Sequence, residues 1–205
     1  MALNFANNNS LSAITTLPAS ISGGAMTLIS EQTASSSASL EFSLDDSYDS
    51  YVFKFINIHA GTDRALFQFQ GSTDNGSNYN TTATTTYFQA YHTQDDTSTN
   101  LGYNDSHDDA QTTGFMNLIT HSNAEDNEAS ASGTLQIYNP SSSVFVKHFI
   151  SSFNHIYETD PANNPYSWNS FKGGYFNTTS PVTNLKFQFS SGNIDSGVIK
   201  LYGIS

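Results

Sequence analysis

Three aspartates in one polar segment are the residues of this chain best suited to bind a metal ion. Asp105, Asp108 and Asp109 lie close together, in a stretch that also holds His107. Closely spaced carboxylates on a loop can wrap Ca²⁺, because this hard cation prefers oxygen ligands. EF-hand spacing is absent, and charged residues on loops are usually only solvated. The three aspartates are thus a candidate calcium site, and the sequence predicts no other cofactor.

Residues that could carry catalysis lack the groupings that catalysis needs. A glycosidase places two carboxyl groups across a cleft, whereas nearly all acidic residues here fall in clusters between apolar runs. The 6 histidines show neither H-x-H nor H-x-x-x-H spacing, and no G-x-S-x-G, P-loop or G-x-G-x-x-G motif occurs. The sequence therefore predicts a protein that is not an enzyme.

Aromatic side chains near a second polar segment could contact a sugar or another protein. Tyr157, Tyr166 and Trp168, the only tryptophan, lie in or beside a predicted long connection over residues 158–169. Sugar faces stack on Tyr and Trp rings, and an aromatic anchor in a polar loop equally suits a protein interface. We interpret the three residues as interface contacts, with a glycan site as the alternative.

The charge and the composition exclude several classes of partner. The chain has 18 acidic and 6 basic residues, a net charge of −12, and its basic residues are dispersed. Binding to nucleic acid or to an anionic membrane is therefore not expected. The chain has no cysteine, which excludes disulfides and thiolate metal sites. The N-terminus shows no signal-peptide pattern, and no apolar run reaches the roughly 18–20 residues of a membrane span, so we expect synthesis in a cytoplasm.

Alternating apolar and polar residues predict an all-β fold. Leu185, Phe187 and Phe189 alternate with polar residues near the C-terminus, and this period of two recurs along the chain. Roughly nine or ten such runs, separated by turn residues, are typical of an antiparallel β-sandwich or barrel. We expect a sandwich of jelly-roll type, with long connections at residues 93–113 and 158–169 that make contacts.

Residues 1–37 are predicted to form an extended N-terminal arm, and residues 38–205 the β-sandwich domain. The first segment is rich in Ser, Ala, Thr and Asn, and its apolar residues are sparse. Leu11, Ile14 and Leu17 are therefore candidate contacts with a neighbouring molecule.

A short turn motif lies between two of the predicted strands. Ser72, Asp74, Gly76 and Tyr79 match the Asp-box pattern S-x-D-x-G-x-x-aromatic, which occurs in sialidases and in other β proteins. The Asp side chain can accept hydrogen bonds from backbone N–H groups, and Gly supplies a positive φ. The motif is structural even in enzymes, so we predict a hairpin here and no catalytic role.

Several segments together resemble a known group of proteins. They are the opening MALNFAN, the strand at 51–55 with Ile58 and His59, the run GTLQIYNPS at 133–141, and the close FQFSSGNIDSGVIKLYGI. The chain is similar in these segments to small virion-associated proteins of tailed bacteriophages, many of them from marine bacteria. The most distinctive piece is the ending F-x-F-S-S-G-x-I-x-S-G-x-I-x-L-Y-G-I, and the resemblance covers about residues 38–205.

The resemblance implies a structural role on a phage particle and carries over no catalytic residues. We expect a virion protein, made in the bacterial host cytoplasm, that serves as a capsid decoration (cement) or head-fibre protein. Its expected partners are further copies of itself, with a trimer favoured, and the major capsid protein or other virion proteins. The alternative is a tail fibre or tail-tip adhesin that binds host surface glycan through the connections at 93–113 and 158–169.

Overall fold

The computed structural model describes residues 26–120, 129–157 and 164–205. Within these ranges the chain forms thirteen strands, and every strand pairing is antiparallel. The prediction of an all-β fold with antiparallel sheets is confirmed. The strands are β1 (Thr27–Ser37), β2 (Leu40–Ser43), β3 (Ser50–Ala60), β4 (Phe67–Ser72), β5 (Ala83–Thr93), β6 (Thr99–Tyr103), β7 (Asp109–Thr112), β8 (Met116–Asn117), β9 (Ala131–Tyr138), β10 (Lys147–Tyr157), β11 (Tyr166–Phe176), β12 (Asn184–Phe189) and β13 (Ile194–Ile204).

The strands form two sheets of unequal size. The larger sheet has the order β1-β13-β3-β9-β10-β11-β5-β6, and β7 pairs with β5 beside this path. The smaller sheet has the order β2-β12-β4-β8. Strands that follow each other in the chain, such as β12 and β13, often lie in different sheets, so the chain repeatedly crosses between the two layers.

Phenylalanine rings hold the two sheets together. Phe53 and Phe55 of β3 reach Phe187 of β12, with ring centroids 5.0 and 5.1 Å apart. Phe69 of β4 meets Phe149 of β10 edge-on at 5.2 Å. All five rings are fully buried, and such contacts add to the stabilisation that comes from removing apolar area from water. The period of two in the sequence thus corresponds to one row of aromatic residues per strand, facing the opposite sheet.

The larger sheet extends well beyond the smaller one. β10 and β11 form a hairpin in which all eleven residue pairs stay in register from Lys147↔Phe176 to Tyr157↔Tyr166. β5 continues this register from Tyr166↔Thr93 to Phe176↔Ala83. The extension therefore has one inner face, on the side of the smaller sheet, and one outer face, which we define as the outward positions of β10, β11 and β5.

The part of the predicted arm that the structure describes is a strand. β1 pairs with β13 from Thr27↔Gly203 to Ser37↔Ile194, so regular structure begins about ten residues before the predicted boundary at residue 38. Of its residues only Ala34 is buried, which is why an edge strand of this kind left little apolar periodicity in the sequence. Residues 1–25, with Leu11, Ile14 and Leu17, lie outside the described residues.

Both predicted long connections contain strands. β6 and β7 fall within residues 93–113, and β11 begins at Tyr166, inside the connection predicted for 158–169. The prediction that Tyr166 and Trp168 lie in a loop is therefore wrong. In β11 the alternation is broken because the polar Ser170 and Lys172 occupy inner positions and Phe171 an outer one.

The Asp-box motif adopts the predicted local conformation but does not close a hairpin. Asp74 Oδ1 accepts hydrogen bonds from Ser72 Oγ at 2.6 Å and from the Asn78 N–H at 2.9 Å, and Gly76 has a φ of 81°. These bonds, that from Ser72 first, lower the pKa of Asp74 to about 2. The motif connects β4 of the smaller sheet to β5 of the larger sheet, so the hairpin prediction is wrong. Side-chain hydrogen bonds within a turn fix the conformation of the turn, but they do not determine which sheet the next strand joins.

Two adjacent glycines in β11 have opposite surroundings. A Cβ on Gly174 would lie 2.6 Å from the Thr84 carbonyl oxygen and 2.7 Å from Thr85 Cγ2, so the inner face has no room for one. A Cβ on Gly173 would meet only Thr86 Oγ1, at 3.9 Å. Packing within the chain therefore requires glycine at 174 and does not require it at 173.

Substitution of each glycine by alanine tests this packing. Gly174→Ala is expected to lower the free energy of unfolding by about 1–3 kcal/mol, because the new methyl group overpacks the inner face. Gly173→Ala is expected to leave it unchanged or to raise it by about 0.5–1 kcal/mol, because alanine restricts the unfolded chain. Equilibrium urea unfolding measures both, and equal effects at the two positions would contradict this packing.

Candidate interaction surfaces

A buried lysine organises the inner face of the extension. Lys172 Nζ donates hydrogen bonds to Asp109 Oδ2 at 2.7 Å, to the His107 carbonyl oxygen at 2.9 Å and to Thr85 Oγ1 at 3.4 Å. Its side chain is fully buried, and the Tyr87 ring lies 5.5 Å from the ammonium. All three ammonium donors thus have acceptors. Lys172 ties the connection between β6 and β7 to the middle of β11.

The protonation of this pair follows from burial and charge. Burial lowers the pKa of Lys172, and the negative charge of Asp109 opposes that shift. Burial also raises the pKa of Tyr87 to about 12, so its hydroxyl stays neutral beside the lysine. Asp109 is therefore the carboxylate that compensates a buried cation.

The predicted calcium residues have other partners in the structure. Asp109 binds Lys172, and the Asp108 carboxylate accepts a hydrogen bond from the Tyr103 hydroxyl. Asp105 lies exposed in the turn after β6. Among the residues that the structure describes, no three His, Asp or Glu side chains are grouped so that they could hold a metal ion. Calcium binding stays a prediction, and the contact shown for Asp109 is an ion pair.

The three aromatic residues predicted as interface contacts do come together. Tyr157 faces Tyr166 across the β10–β11 hairpin, with ring centroids 5.7 Å apart, and Tyr166 lies 5.9 Å from Trp168. Tyr91 of β5, which the sequence analysis missed, stacks on Trp168 at 4.5 Å. Trp168 is only 5% exposed. It is a packed side chain of β11, and whether the cluster binds a partner stays a prediction.

The outer face of the extension carries apolar and aromatic side chains and no formal charge. Ile150 is 58% exposed, and the rings of Phe88 and Phe171 stack at 4.8 Å. Leu101 and Tyr103 of β6 continue this apolar surface. The outward positions are His148, Ile150, Ser152, Asn154, Ile156, Ser167, Asn169, Phe171, Gly173, Tyr175, Thr84, Thr86, Phe88, Ala90 and His92.

Charged side chains are found further along the same sheet, on β3, β13 and β1. Lys54 of β3 is exposed, and Lys200 of β13 forms an ion pair with Glu31 of β1 at 2.9 Å. On the smaller sheet Lys186 pairs with Glu41 at 2.7 Å. The chain has a net charge of −12. Asp96 bonds His92 and Asp108 bonds Tyr103 at the margins of the outer face. Between these carboxylates another acidic molecule meets no like charge.

One signal in the sequence could have revealed the outer face. Tyr87 and Phe88 are adjacent, and neighbours in a strand point to opposite faces. One of the two rings therefore had to point away from the core, and the structure buries Tyr87 and exposes Phe88. The burial of Lys172 had no such signal, because a single lysine in a strand ordinarily indicates the solvent side.

Comparison with known proteins finds no matching family model, no matching curated protein and no matching solved structure. In the described part of the chain, no helix has the length and apolar character to cross a membrane.

Separating the buried pair tests the role of Asp109. Asp109→Asn is expected to lower the free energy of unfolding by about 3–5 kcal/mol, because it leaves the Lys172 ammonium buried without its counter-charge. Lys172→Met is expected to cost less, because the Asp109 side chain is 21% exposed and can turn to water. Urea unfolding of the two single variants and the double variant measures the coupling, and strictly additive effects would show that the pair is not coupled.

The pH dependence of stability gives a second test of this pair. Because burial lowers the folded pKa of Lys172, the unfolded state holds more protons above that pKa, and stability from this group rises with pH. Asp109→Asn removes the charge that opposes the shift, so in the variant the rise should begin at lower pH. Unfolding series between about pH 7 and about pH 10 follow it. Parallel curves for the variant and the parent chain would refute this electrostatic coupling.

Proposed function

We propose that this chain is a structural protein of a tailed-bacteriophage virion, a capsid decoration or head-fibre protein that acts without catalysis. The observation that carries the proposal is the pairing order of eight strands. β1 pairs with β13, β2 with β12, β3 with β9, and β4 with β8. Among these eight, the first strand pairs with the last, the second with the next to last, and so on inwards.

This order is the one produced by wrapping a ribbon of four strand pairs into a jelly roll. The pairs alternate between the sheets, and β13–β3 and β12–β4 contacts join them, which gives β1-β13-β3-β9 facing β2-β12-β4-β8. The remaining strands are then two insertions, β5–β7 and β10–β11, that extend only the larger sheet. The strand order thus supports the predicted jelly-roll type.

The step from fold to role rests on three further observations. Jelly rolls occur in viral capsid proteins, lectins and cupins, and a fold alone does not assign a function. The interior here is filled by phenylalanine rings, which suits a structural domain better than a ligand-binding one. The resemblance of residues 38–205 to virion-associated phage proteins favours a location on the phage particle. The uncharged outer face favours contact with further copies of the chain, which form a trimer in this proposal.

An adhesin of the tail remains the second candidate. The half-buried rings of Tyr91, Tyr157 and Tyr166 lie at one end of the extension, where a sugar could meet them. Against this, a ring that stacks on a sugar must be exposed, and Trp168 is packed beneath Tyr91. The decoration role is therefore preferred.

The composition of purified particles tests the proposal. We expect quantitative mass spectrometry of gradient-purified virions to find this chain in fixed proportion to the major capsid protein. Deletion of its gene should lower the temperature at which particles release their DNA and leave adsorption to host cells unchanged. Absence of the chain from washed particles would refute a virion role. Lost adsorption with unchanged particle stability would favour the adhesin.

A further inference from the structure

A groove of about 450 Å³ opens on the outer face above Gly173. Gly173 forms its floor, and Ile150 and Tyr175 stand beside it. The groove is open because position 173 has no side chain, while Ile150↔Gly173↔Thr86 are neighbours in one cross-strand row. The residues that line the groove carry no formal charge, so the groove suits an apolar side chain.

Nothing in the residues that the structure describes explains a glycine at this position. The pairing of β11 with β10 and with β5 shows no bulge at Gly173, and its φ is not positive. A Cβ there would meet only Thr86 Oγ1, at 3.9 Å. Glycine inside a strand weakens the strand, and where bulges and bends are absent it marks a close approach by another molecule. An occupant of the groove from outside this chain would account for the glycine.

The chain itself carries an apolar knob of suitable size. Val144 and Phe145, which we call the knob, are 67% and 68% exposed in the connection before β10. Their N–H groups donate to Ser142 Oγ at 3.2 and 2.9 Å, and the Phe145 carbonyl accepts from Lys147 Nζ at 2.9 Å. The knob is thus held in one conformation although its side chains have little contact with the rest of the chain.

Holding the knob in one conformation costs free energy, which binding of the knob to a partner would offset. Lys147 is fully buried, and its ammonium donates to the carbonyl oxygens of Phe145 and Thr178. Burying a charge against backbone carbonyls is unfavourable relative to water. A loop that is already ordered loses less entropy when it binds, so this arrangement suits a loop that inserts into a partner.

We propose that the knob of one copy inserts into the groove of the next copy. This inference rests on the self-association contained in the proposed function and names the surface that mediates it. A basic partner would be drawn to the acidic parts of a chain with a charge of −12, whereas a second copy can approach where charge is absent. Knob and groove are both uncharged, and Phe145 at 68% exposure does not fill the groove of its own chain.

Because knob and groove are different parts of the surface, the contact can be reciprocal across a two-fold axis or can repeat head-to-tail. Phe145 precedes His148, a groove residue, by three positions, so both features lie at the same end of the larger sheet. Head-to-tail contacts close into rings when the rotation between copies permits, and closed symmetry is the rule for soluble oligomers. In the trimer of the proposed function the contact repeats around a closed ring, in which each copy gives one knob and receives one.

Substitutions on each side of the contact test this proposal. Phe145→Asp places a charge in the groove, and Gly173→Val fills the groove with a residue that strands favour. Each is expected to weaken self-association by about 30-fold or more, as loss of a central contact does. Leu28→Ser, at an exposed apolar site of β1, is the matched control and should not change it. Sedimentation velocity over a concentration series measures the association, and the urea midpoint checks folding.

Disulfide trapping locates the contact directly, because the chain has no cysteine of its own. The double variant Val144→Cys with Thr86→Cys, which keeps the Phe145 ring, is expected to form covalent oligomers on mild oxidation, seen on a non-reducing gel. Val144→Cys with Leu28→Cys is the control and should stay monomeric on the same gel. Trapping by the first pair alone would support the proposed insertion.

The outcomes separate this inference from the proposed function. The inference alone is overturned if the parent chain forms an oligomer, the groove-side and knob-side variants both leave that oligomer intact, and no disulfide forms at Thr86. A parent chain that is monomeric at micromolar concentration overturns the inference and the self-association of the proposed function together.

Discussion

The two sheets of this protein differ in size, so the smaller sheet leaves part of the larger sheet uncovered. Much of the structure follows from how that part is kept from water. Near the smaller sheet, phenylalanine rings fill the space between the layers. Beyond it, the inner positions of β10, β11 and β5 carry Ser151, Lys172 and Tyr87 in one cross-strand row. The connection between β6 and β7 closes over this row, and the Lys172–Asp109 ion pair fixes it there. The two partners are not equivalent, since removal of the Asp109 charge leaves a fully buried cation, whereas Asp109 is partly exposed.

The outer face of the same strands has the opposite character. No formal charge lies at the outward positions of β10, β11 and β5, the side chains of Ile150, Phe88 and Phe171 face solvent, and a groove is open over Gly173. Several buried polar groups on the inner side and several exposed apolar groups on the outer side depart from the usual distribution. This distribution is explained if the inner side of the extension is covered by its own chain and the outer side by a neighbouring copy, as we propose. In the proposed assembly the knob at Val144 and Phe145 supplies the neighbour's part of that contact.

The sequence predicted the strands that face the phenylalanine core, and it was less informative about the sheet edge and about which strands pair. The alternation at Leu185, Phe187 and Phe189 identified β12 correctly, because its apolar residues all face the opposite sheet. β1 was read as an arm, because a strand at the sheet edge buries only Ala34. The Asp-box turn was predicted in detail, yet its hairpin was not formed, since local hydrogen bonds do not choose the sheet that the chain enters. Tyr157, Tyr166 and Trp168 were rightly grouped, whereas Tyr91 came from a distant strand that only the register brings near.

The central claim is that the uncharged outer face is an assembly surface. A cryo-electron microscopy reconstruction of the purified protein tests it most directly, because it shows which surface each copy presents to the next. The account predicts a closed ring in which β10, β11 and β5 face the neighbouring copy and Phe145 lies over Gly173. A ring built through the smaller sheet or through β1, with the outer face left in solvent, would contradict it.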